Sequence, residues 1–380
     1  GFIGAVIHAN DAQTPEDGEP KRSKAKTGHG PTAQPRLPIQ EKTYEITPDD
    51  AVCTGCGKPL LPKKGLAQES ELITVVGVEV KLEKVTQLVY GCGCPDKLTT
   101  ATGPDRVIDG GRYSLEFAAF VASQKYLDHM PLARQQRMFE RKGLDIKRAT
   151  LWDQIDALAG WLEPTWRALR AYTLGADWVH CDETRWPMLD GPGSCKWWTW
   201  CVASSDAVFY DIHPHRSAKA AQAVLDGFQG VVITDGYAAY DSLARAGPGI
   251  RLAHCWAHVR RKFLEAEASY PDQAETPIRL IGQLFNVERE LPRLPRDAPL
   301  AERRRICALR RAAREERSRP LIDELRNWAY ETLPGRLPST SLAKAVNYML
   351  ELWPGLNVFL DDPLVAIDNN HAERELRGVV

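Results

Sequence analysis

Between residues 71 and 90 the string ELITVVGVEVKLEKVTQLVY alternates apolar and polar positions and is rich in β-branched residues. That period predicts two short strands turning near Gly77. From residue 112 the spacing lengthens to the helical repeat. RYSLEFAAFVASQKYLDHM and PLARQQRMFERKG predict one pair of helices, and ATLWDQIDALAGWLEPTWRALRAY longer ones, with Pro131 and Gly143 as punctuation. From residue 176 the pattern shortens again. DWVHCD, KWWTWCVAS and AVFYDIHP read as three strands, SAKAAQAVLDGF as a helix and GVVITD as a buried strand ending in an acid. IRLAHCWAH begins as a strand and runs into the helix VRRKFLEAEA.

Three strands, helix, strand, helix, strand, helix is the order of a ribonuclease H-like α/β domain. Residues 271–364 interrupt it with Arg-rich helical sequence, and DNNHAERELR resumes as a final helix. Residues 11–38 are rich in Pro, Gly, Lys and polar residues with little to bury, as in a linker or disordered arm. Its basic KRSKAK either touches phosphates or is a solvated tail. The expected organisation is multidomain α/β. It comprises an arm (1–38), a zinc-ribbon-like segment (39–100), a helical region with helix-turn-helix character (101–175), a catalytic core (176–270 and 365–380) and a helical insertion (271–364).

The chain has 380 residues, 43% hydrophobic, enough for two or three domains. Its formal net charge is −1, so any contact with DNA must come from local patches. The candidates are Arg134, Arg137, Arg141, Lys147 and Arg148 around the turn of the helix-turn-helix-like stretch, Arg260 and Arg261, and Arg303, Arg304 and Arg305 in the insertion. The 134–148 stretch equally suits a plain helical hairpin. No apolar run reaches membrane-spanning length, and GFIGAVIHAN lacks the basic flank and cleavage site of a signal peptide. Nine unevenly spread cysteines suit a reducing cytoplasm rather than a disulfide framework. The lack of an initiator methionine fits a fragment or a processed chain.

Acids at strand ends suggest the chemistry. Asp182 ends the first strand of the α/β domain and Asp235 the fourth, which are neighbours in a ribonuclease H-like sheet. Glu373 lies in the last helix, which packs back near the first strand in that fold. Each acid alone also suits a turn or a helix N-cap. Together they are the oxygen ligands that Mg²⁺ or Mn²⁺ prefers, and two such ions about 4 Å apart serve in-line phosphodiester displacement. Glu183 is expected on the opposite strand face and Glu375 off the helical face of Glu373. Asp368 is expected to cap the final helix. Asn369 and Asn370 either cap, orient the acid or contact DNA.

Cys53-Thr-Gly-Cys56-Gly forms a knuckle, and Cys92-Gly-Cys94 supplies a second pair across the hairpin. Four thiolates suit a structural Zn²⁺, with ordinary thiols as the alternative. The HCxxH spacing of His254, Cys255 and His258 suggests a second metal site, but no complementary pair is evident, and the three read chiefly as packing at a strand-to-helix junction near Asp235. Cys181, Cys195, Cys201 and Cys307 read as ordinary thiols. Trp197, Trp198 and Trp200 read chiefly as sheet packing, with base stacking as the alternative.

The strings VHCDETRW, ITDGYAAYD, AHCWAHVRRKF and DNNHAERELR resemble, in order, the signature blocks of DDE transposases of the insertion-sequence family numbered sixty-six. The GHGP…LP lead-in, the cysteine segment and KYLDHMPLARQ are also similar to that family, so the resemblance covers roughly residues 28–380. The CxC pair is one residue tighter than the family pattern. The resemblance implies a bacterial transposase with Asp182, Asp235 and Glu373 as its metal-binding trio, cutting double-stranded DNA at element ends and joining it to target DNA. It implies a homo-oligomer, accessory proteins of the same element, and a cytoplasmic, nucleoid-associated location with no membrane. Members usually begin with a further helical segment and continue beyond RELRGVV, so a chain truncated at both ends is expected. Two alternatives stay open: a ribonuclease H-like nuclease without strand transfer, and a catalytically inactive DNA-binding remnant.

Overall fold

The computed structural model describes residues 33–76, 79–91, 98–188, 195–246, 249–294 and 298–379. The described chain forms two compact units that divide between Glu163 and Pro164.

In the first unit, strands β1 (Ile39–Tyr44), β2 (Leu61–Val76), β3 (Glu79–Gly91) and β4 (Leu98–Thr100) build one sheet. The alternating string becomes the antiparallel hairpin β2–β3, with Val76 opposite Glu79. β1 runs parallel to β3, and β4 runs antiparallel to its end. Helices α1 (Leu115–Tyr126), α2 (Leu132–Arg141) and α3 (Arg148–Leu174) follow. Ile73, Val75, Val80 and Leu82 of the hairpin share one apolar core with Phe117, Val121, Phe139, Leu151 and Ile155 of these helices. Ser114 ties the two parts together: its hydroxyl caps α1 by accepting from Phe117 N–H and donates to Thr74 Oγ1 at 2.7 Å. Gly143 ends α2 at φ +88, where a Cβ would also meet the backbone and side chain of Arg36.

The stretch expected to give several helices around Pro164 is a single helix, α3, with Pro164 inside it. The proline forfeits one backbone hydrogen bond, and the carbonyl its ring faces belongs to Gly160, around whose Cβ position the space is open.

The second unit contains a five-stranded sheet: β5 (Trp178–Met188), β6 (Cys195–Ala203), β7 (Val208–His213), β8 (Gly230–Thr234) and β9 (Ile250–His254). Their spatial order is β7-β6-β5-β8-β9. The first three strands are antiparallel neighbours, and β8 and β9 join parallel to β5. β8, an unbroken apolar run, is buried on both faces, as such a strand must be. One face packs against α4 (Ala218–Val224) and α5 (Ala238–Ala246) through Val179, Cys181, Trp200, Val224 and Tyr240. The other face lies under α6 (Trp256–Glu267) and, over the antiparallel half, α13 (Asn370–Arg377).

Between them come α7 (Pro271–Glu290), α8 (Leu300–Ala313), α9 (Arg319–Thr332), α10 (Ser341–Glu351), α11 (Trp353–Leu356) and α12 (Val358–Asp361). Leu280, Leu284, Leu325 and Val346 of these helices join Ile233 and Phe263 in one core. Arg314, in a π-helical turn between α8 and α9, is fully buried. Its guanidinium donates to both Glu288 oxygens at 2.7 and 2.8 Å and to the carbonyls of Phe359, Asp362 and Val365. All five N–H donors are thereby used. Among the described residues no helix is long and apolar enough to cross a membrane.

Candidate active site

Asp182 on β5 and Asp235, just past the end of the neighbouring β8, lie at equivalent register. The parallel β5–β8 ladder pairs His180 with Ile233, and each acid lies two residues further on. Asp182 continues along β5, opposite Cys201, whose side chain packs under Ala372 and Leu376 of α13. Asp182 therefore faces the helix that carries Glu373, since directly opposed residues share a face. Glu183 turns the other way, where its carboxylate accepts from Tyr240 Oη at 2.7 Å and from Arg216.

Asp235 follows β8 directly. Its Oδ1 accepts from Tyr237 N–H at 2.9 Å, and its carbonyl accepts from Tyr348 Oη at 2.6 Å. The turn requires a glycine next, because Gly236 has φ +91 and a Cβ there would meet the Leu352 side chain at 2.6 Å. Arg216 lies 3.6 Å from Asp235 Oδ2 while also pairing with Glu183, and its guanidinium sits 3.8 Å over the Tyr237 ring.

Glu373 sits in the first turn of α13, mostly buried. His258 Nε2 is 3.6 Å from its Oε1 and Arg261 Nη2 3.8 Å from its Oε2. Glu373 Oε1 and His258 Nδ1 are both buried without a hydrogen-bond partner. Asn369, fully buried, fixes the start of α13. Its Oδ1 is 3.0 Å from His180 Nδ1, its side-chain amide donates to the Cys181 carbonyl at 3.0 Å, and its N–H donates to Cys255 Sγ. Asp368 accepts from Asn370 N–H at 3.1 Å. Glu375 stands off the Glu373 face, near His371.

Burial pushes the Asp182 carboxyl up to about 7, with Glu183, Asp235 and Glu373 adding repulsion against the Glu183 N–H that favours its anion. Burial holds the His258 imidazole below its ordinary range, against Glu373 and Asp235, which pull it up. The buried His180 is pushed down to about 3 by desolvation, with His371 adding to the shift. Among the described residues no three His, Cys, Asp or Glu side chains stand close enough together to ligate one ion. Each acid instead rests on a partner of its own.

The other candidates are spread out. In the first unit, Arg134, Arg137 and Arg141 are exposed along α2 at helical spacing, and Lys147 and Arg148 are exposed at the start of α3. On α6, Arg260 is half-buried and Arg261 exposed; on α8, Arg303 is half-buried and Arg304 and Arg305 are exposed. Arg305 is held by Glu302 at 2.7 and 2.8 Å. Arg310 and Arg314 of the same basic stretch turn inward onto Glu288.

Cys53 is buried and Cys56 exposed in a tight turn closed by Gly57 N–H to the Cys53 carbonyl at 2.9 Å, with Gly57 at φ +66. Cys92 and Cys94 lie outside the described residues. Cys181 and Cys201 are buried and Cys307 half-buried; the Cys195 side chain is outside the described set. His254 packs on Gly355, with Nδ1 3.4 Å from Thr234 Oγ1. Trp200 is fully buried in the sheet, and Arg185 and Arg216 lie over the Trp198 ring.

Sequence reasoning missed Arg216 and Arg314 and read His258 chiefly as packing, over a metal-ligand alternative. His258 and Arg261 share a face of α6 at i, i+3 spacing, a signal that could have paired both with an acid.

Residues 110–380 match the family model described as Transposase IS66 family. Curated relatives from Sinorhizobium fredii (strain NBRC 101917 / NGR234) include the uncharacterized protein y4jD, 31% identical over 90% of this chain and 68% of that protein. The uncharacterized proteins y4qI (29% identical over 89% of this chain and 63% of that protein) and y4hP (26% over 90% and 64%) are similar as well. The chain spans about two thirds of the length of these relatives. On the family match and the 31% relative together, the chain belongs to the IS66 transposase family.

Proposed function

We propose that this chain is a DNA-cutting and strand-joining transposase whose centre is Asp182, Asp235 and Glu373 on a ribonuclease H-like domain. The observation that carries the reading is the placement of three sequence-distant carboxylates: Asp182 on β5, Asp235 just past the end of the adjacent β8 at equivalent register, and Glu373 on the helix over that face. The strand order, three antiparallel then two parallel, supports the ribonuclease H-like assignment.

The donor set fits a hard divalent cation such as Mg²⁺ or Mn²⁺, since it is all oxygen and includes a buried Glu373 oxygen with no hydrogen-bond donor. Asp182, Asp235 and Glu373 would hold such ions, whose chemistry there is to neutralise phosphate charge and acidify the attacking water or hydroxyl. The carboxylates repel one another, which accounts for their separate partners. Asn369 and Tyr348 orient the backbones that carry Glu373 and Asp235. Arg216 offsets the charge of Glu183 and Asp235, and Arg261 does so for Glu373, which also has the His258 imidazole beside it. Phosphates of double-stranded DNA would rest on the exposed arginines of α2, α6 and α8. A structural Zn²⁺ on Cys53, Cys56, Cys92 and Cys94, a homo-oligomer pairing two element ends, and accessory proteins complete the proposal.

The test is incubation of the full chain with a plasmid carrying the DNA that flanks its gene, with Mg²⁺ or with chelator. Mg²⁺-dependent cuts at the flank ends and their joining to a second DNA are expected, with Asp235→Asn binding but not cutting. Cutting without joining would favour the nuclease reading. Binding without cutting by the unsubstituted chain would favour the remnant.

A further inference from the structure

Between α6 and α7 an open groove of about 440 Å³ adjoins the acid cluster. Its floor is apolar, with Leu264 exposed and Phe285 half-buried. Arg260, Arg261 and Arg289 line it, and no acidic side chain does. Arg261 links the groove to the site, 3.8 Å from Glu373. The hydrogen bonds of Arg289 run to neutral groups, the Phe285 carbonyl at 3.5 Å and the Asn286 amide oxygen.

A second observation concerns the helix that forms one wall. Gly282 lies inside the twenty-residue α7 and lines the groove. A Cβ built there would meet nothing within 4 Å, and the backbone is not in the left-handed region. Glycine inside a helix is destabilising relative to alanine. Neither backbone geometry nor packing asks for it here, so what it leaves is room over the groove floor. Departures from local preference without a folding reason mark functional sites.

The geometry points to a docking groove for an unpaired nucleotide, its base lying against Phe285 and Leu264 beside Gly282 and its phosphates on Arg260, Arg261 and Arg289. This rests on the transposase reading for its source of unpaired DNA, a strand end opened beside the acids. Charge complementarity selects an anion, since three guanidinium groups surround a groove without carboxylates. The apolar floor selects among anions: a paired base keeps its faces within the stack, whereas an unpaired one offers a flat π-face to an aromatic ring and to arginine.

The experiment is fluorescence titration of the full chain in chelator, where no cutting occurs. The probe is a short duplex with a single-stranded overhang bearing 2-aminopurine, beside a blunt duplex of the same sequence. The overhang is expected to bind more tightly than the blunt duplex, with a change in 2-aminopurine emission. Gly282→Leu, which fills open space, should weaken overhang binding by about tenfold, the scale of one stacked base. It should leave blunt-duplex affinity and Tm at or above the unsubstituted values. Phe285→Ala provides a second variant with the same expected selectivity. Equal affinity for both probes, or equal weakening of both by Gly282→Leu and Phe285→Ala, overturns the proposal. Because no cleavage is read, a chain that never cuts DNA but keeps the overhang preference sinks the transposase reading and leaves the groove standing.

Discussion

Asp182→Asn removes one charge from the acid cluster while keeping the shape of the side chain. In the folded chain the Asp182 carboxyl sits at about 7, against an ordinary 3.8, through burial and the nearby Glu183, Asp235 and Glu373. A raised carboxyl pKa means the folded state binds the proton more tightly than the unfolded one. The associated stability is present below about pH 4 and is lost as pH rises through 7. The rise from 3.8 to about 7 sets a ceiling of about 4 kcal/mol on the penalty at pH 8. The substituted amide must itself be desolvated and the cluster relaxes, so a gain of about 1–2 kcal/mol is expected at pH 8. At pH 5.5 the folded carboxyl is already protonated and the gain should shrink by about half. Urea denaturation followed by tryptophan fluorescence at the two pH values measures this directly. Mg²⁺ should then stabilise the unsubstituted chain more than the variant. A variant no more stable than the unsubstituted chain at pH 8, or a gain independent of pH, would refute the reasoning.

Three further outcomes follow from the same geometry. Arg314→Met leaves the Glu288 carboxylate with Arg310 alone, 3.5 Å away, and takes the guanidinium from the buried carbonyls of Phe359 and Val365, while the Asp362 carbonyl keeps Val365 N–H; it should cost about 3–5 kcal/mol in urea denaturation, and Glu288→Leu added to it should recover part of the loss. Gly236→Ala places a Cβ against Leu352 at φ +91; it should lower stability by more than about 1 kcal/mol and reduce cleavage through the displaced Asp235, whereas Gly160→Ala, with open space around it, should not destabilise. Elemental analysis of protein purified without chelator should find about one zinc per chain, reduced by Cys53→Ser; a zinc-free, fully folded preparation counts against the cysteine quartet.

The elements of the second unit were legible because each announces itself locally. GVVIT is an unbroken apolar run and therefore a buried strand, and the β5 string alternates so that Asp182 and Glu183 part to opposite faces. The hairpin β2–β3 was legible for the same reason. The order of elements led to the expectation that the first and fourth strands are neighbours, as β5 and β8 are. Hidden were contacts whose two halves lie far apart in the chain: Asn369 with His180 across 189 positions, Arg216 with Glu183 across 33, Arg314 with Glu288 across 26. Nothing in a basic helical run tells an arginine that will be buried from one that will face solvent, which is why Arg314 looked like its neighbours. Pro164 misled in the other direction, since its reputation as a helix breaker hid one continuous α3.

The central claim is that Glu373, and not the neighbouring Glu375, completes the acid trio. The measurement is the rate of Mg²⁺-dependent cleavage by Glu373→Gln and Glu375→Gln, each beside a gel-shift titration at one fixed salt concentration. Glu373→Gln should bind DNA as the unsubstituted chain does and cut at least about a hundredfold more slowly, a loss of about 3 kcal/mol in the chemical step, while Glu375→Gln cuts at the unsubstituted rate. Undiminished cutting by Glu373→Gln, or loss of cutting in Glu375→Gln alone, contradicts the assignment.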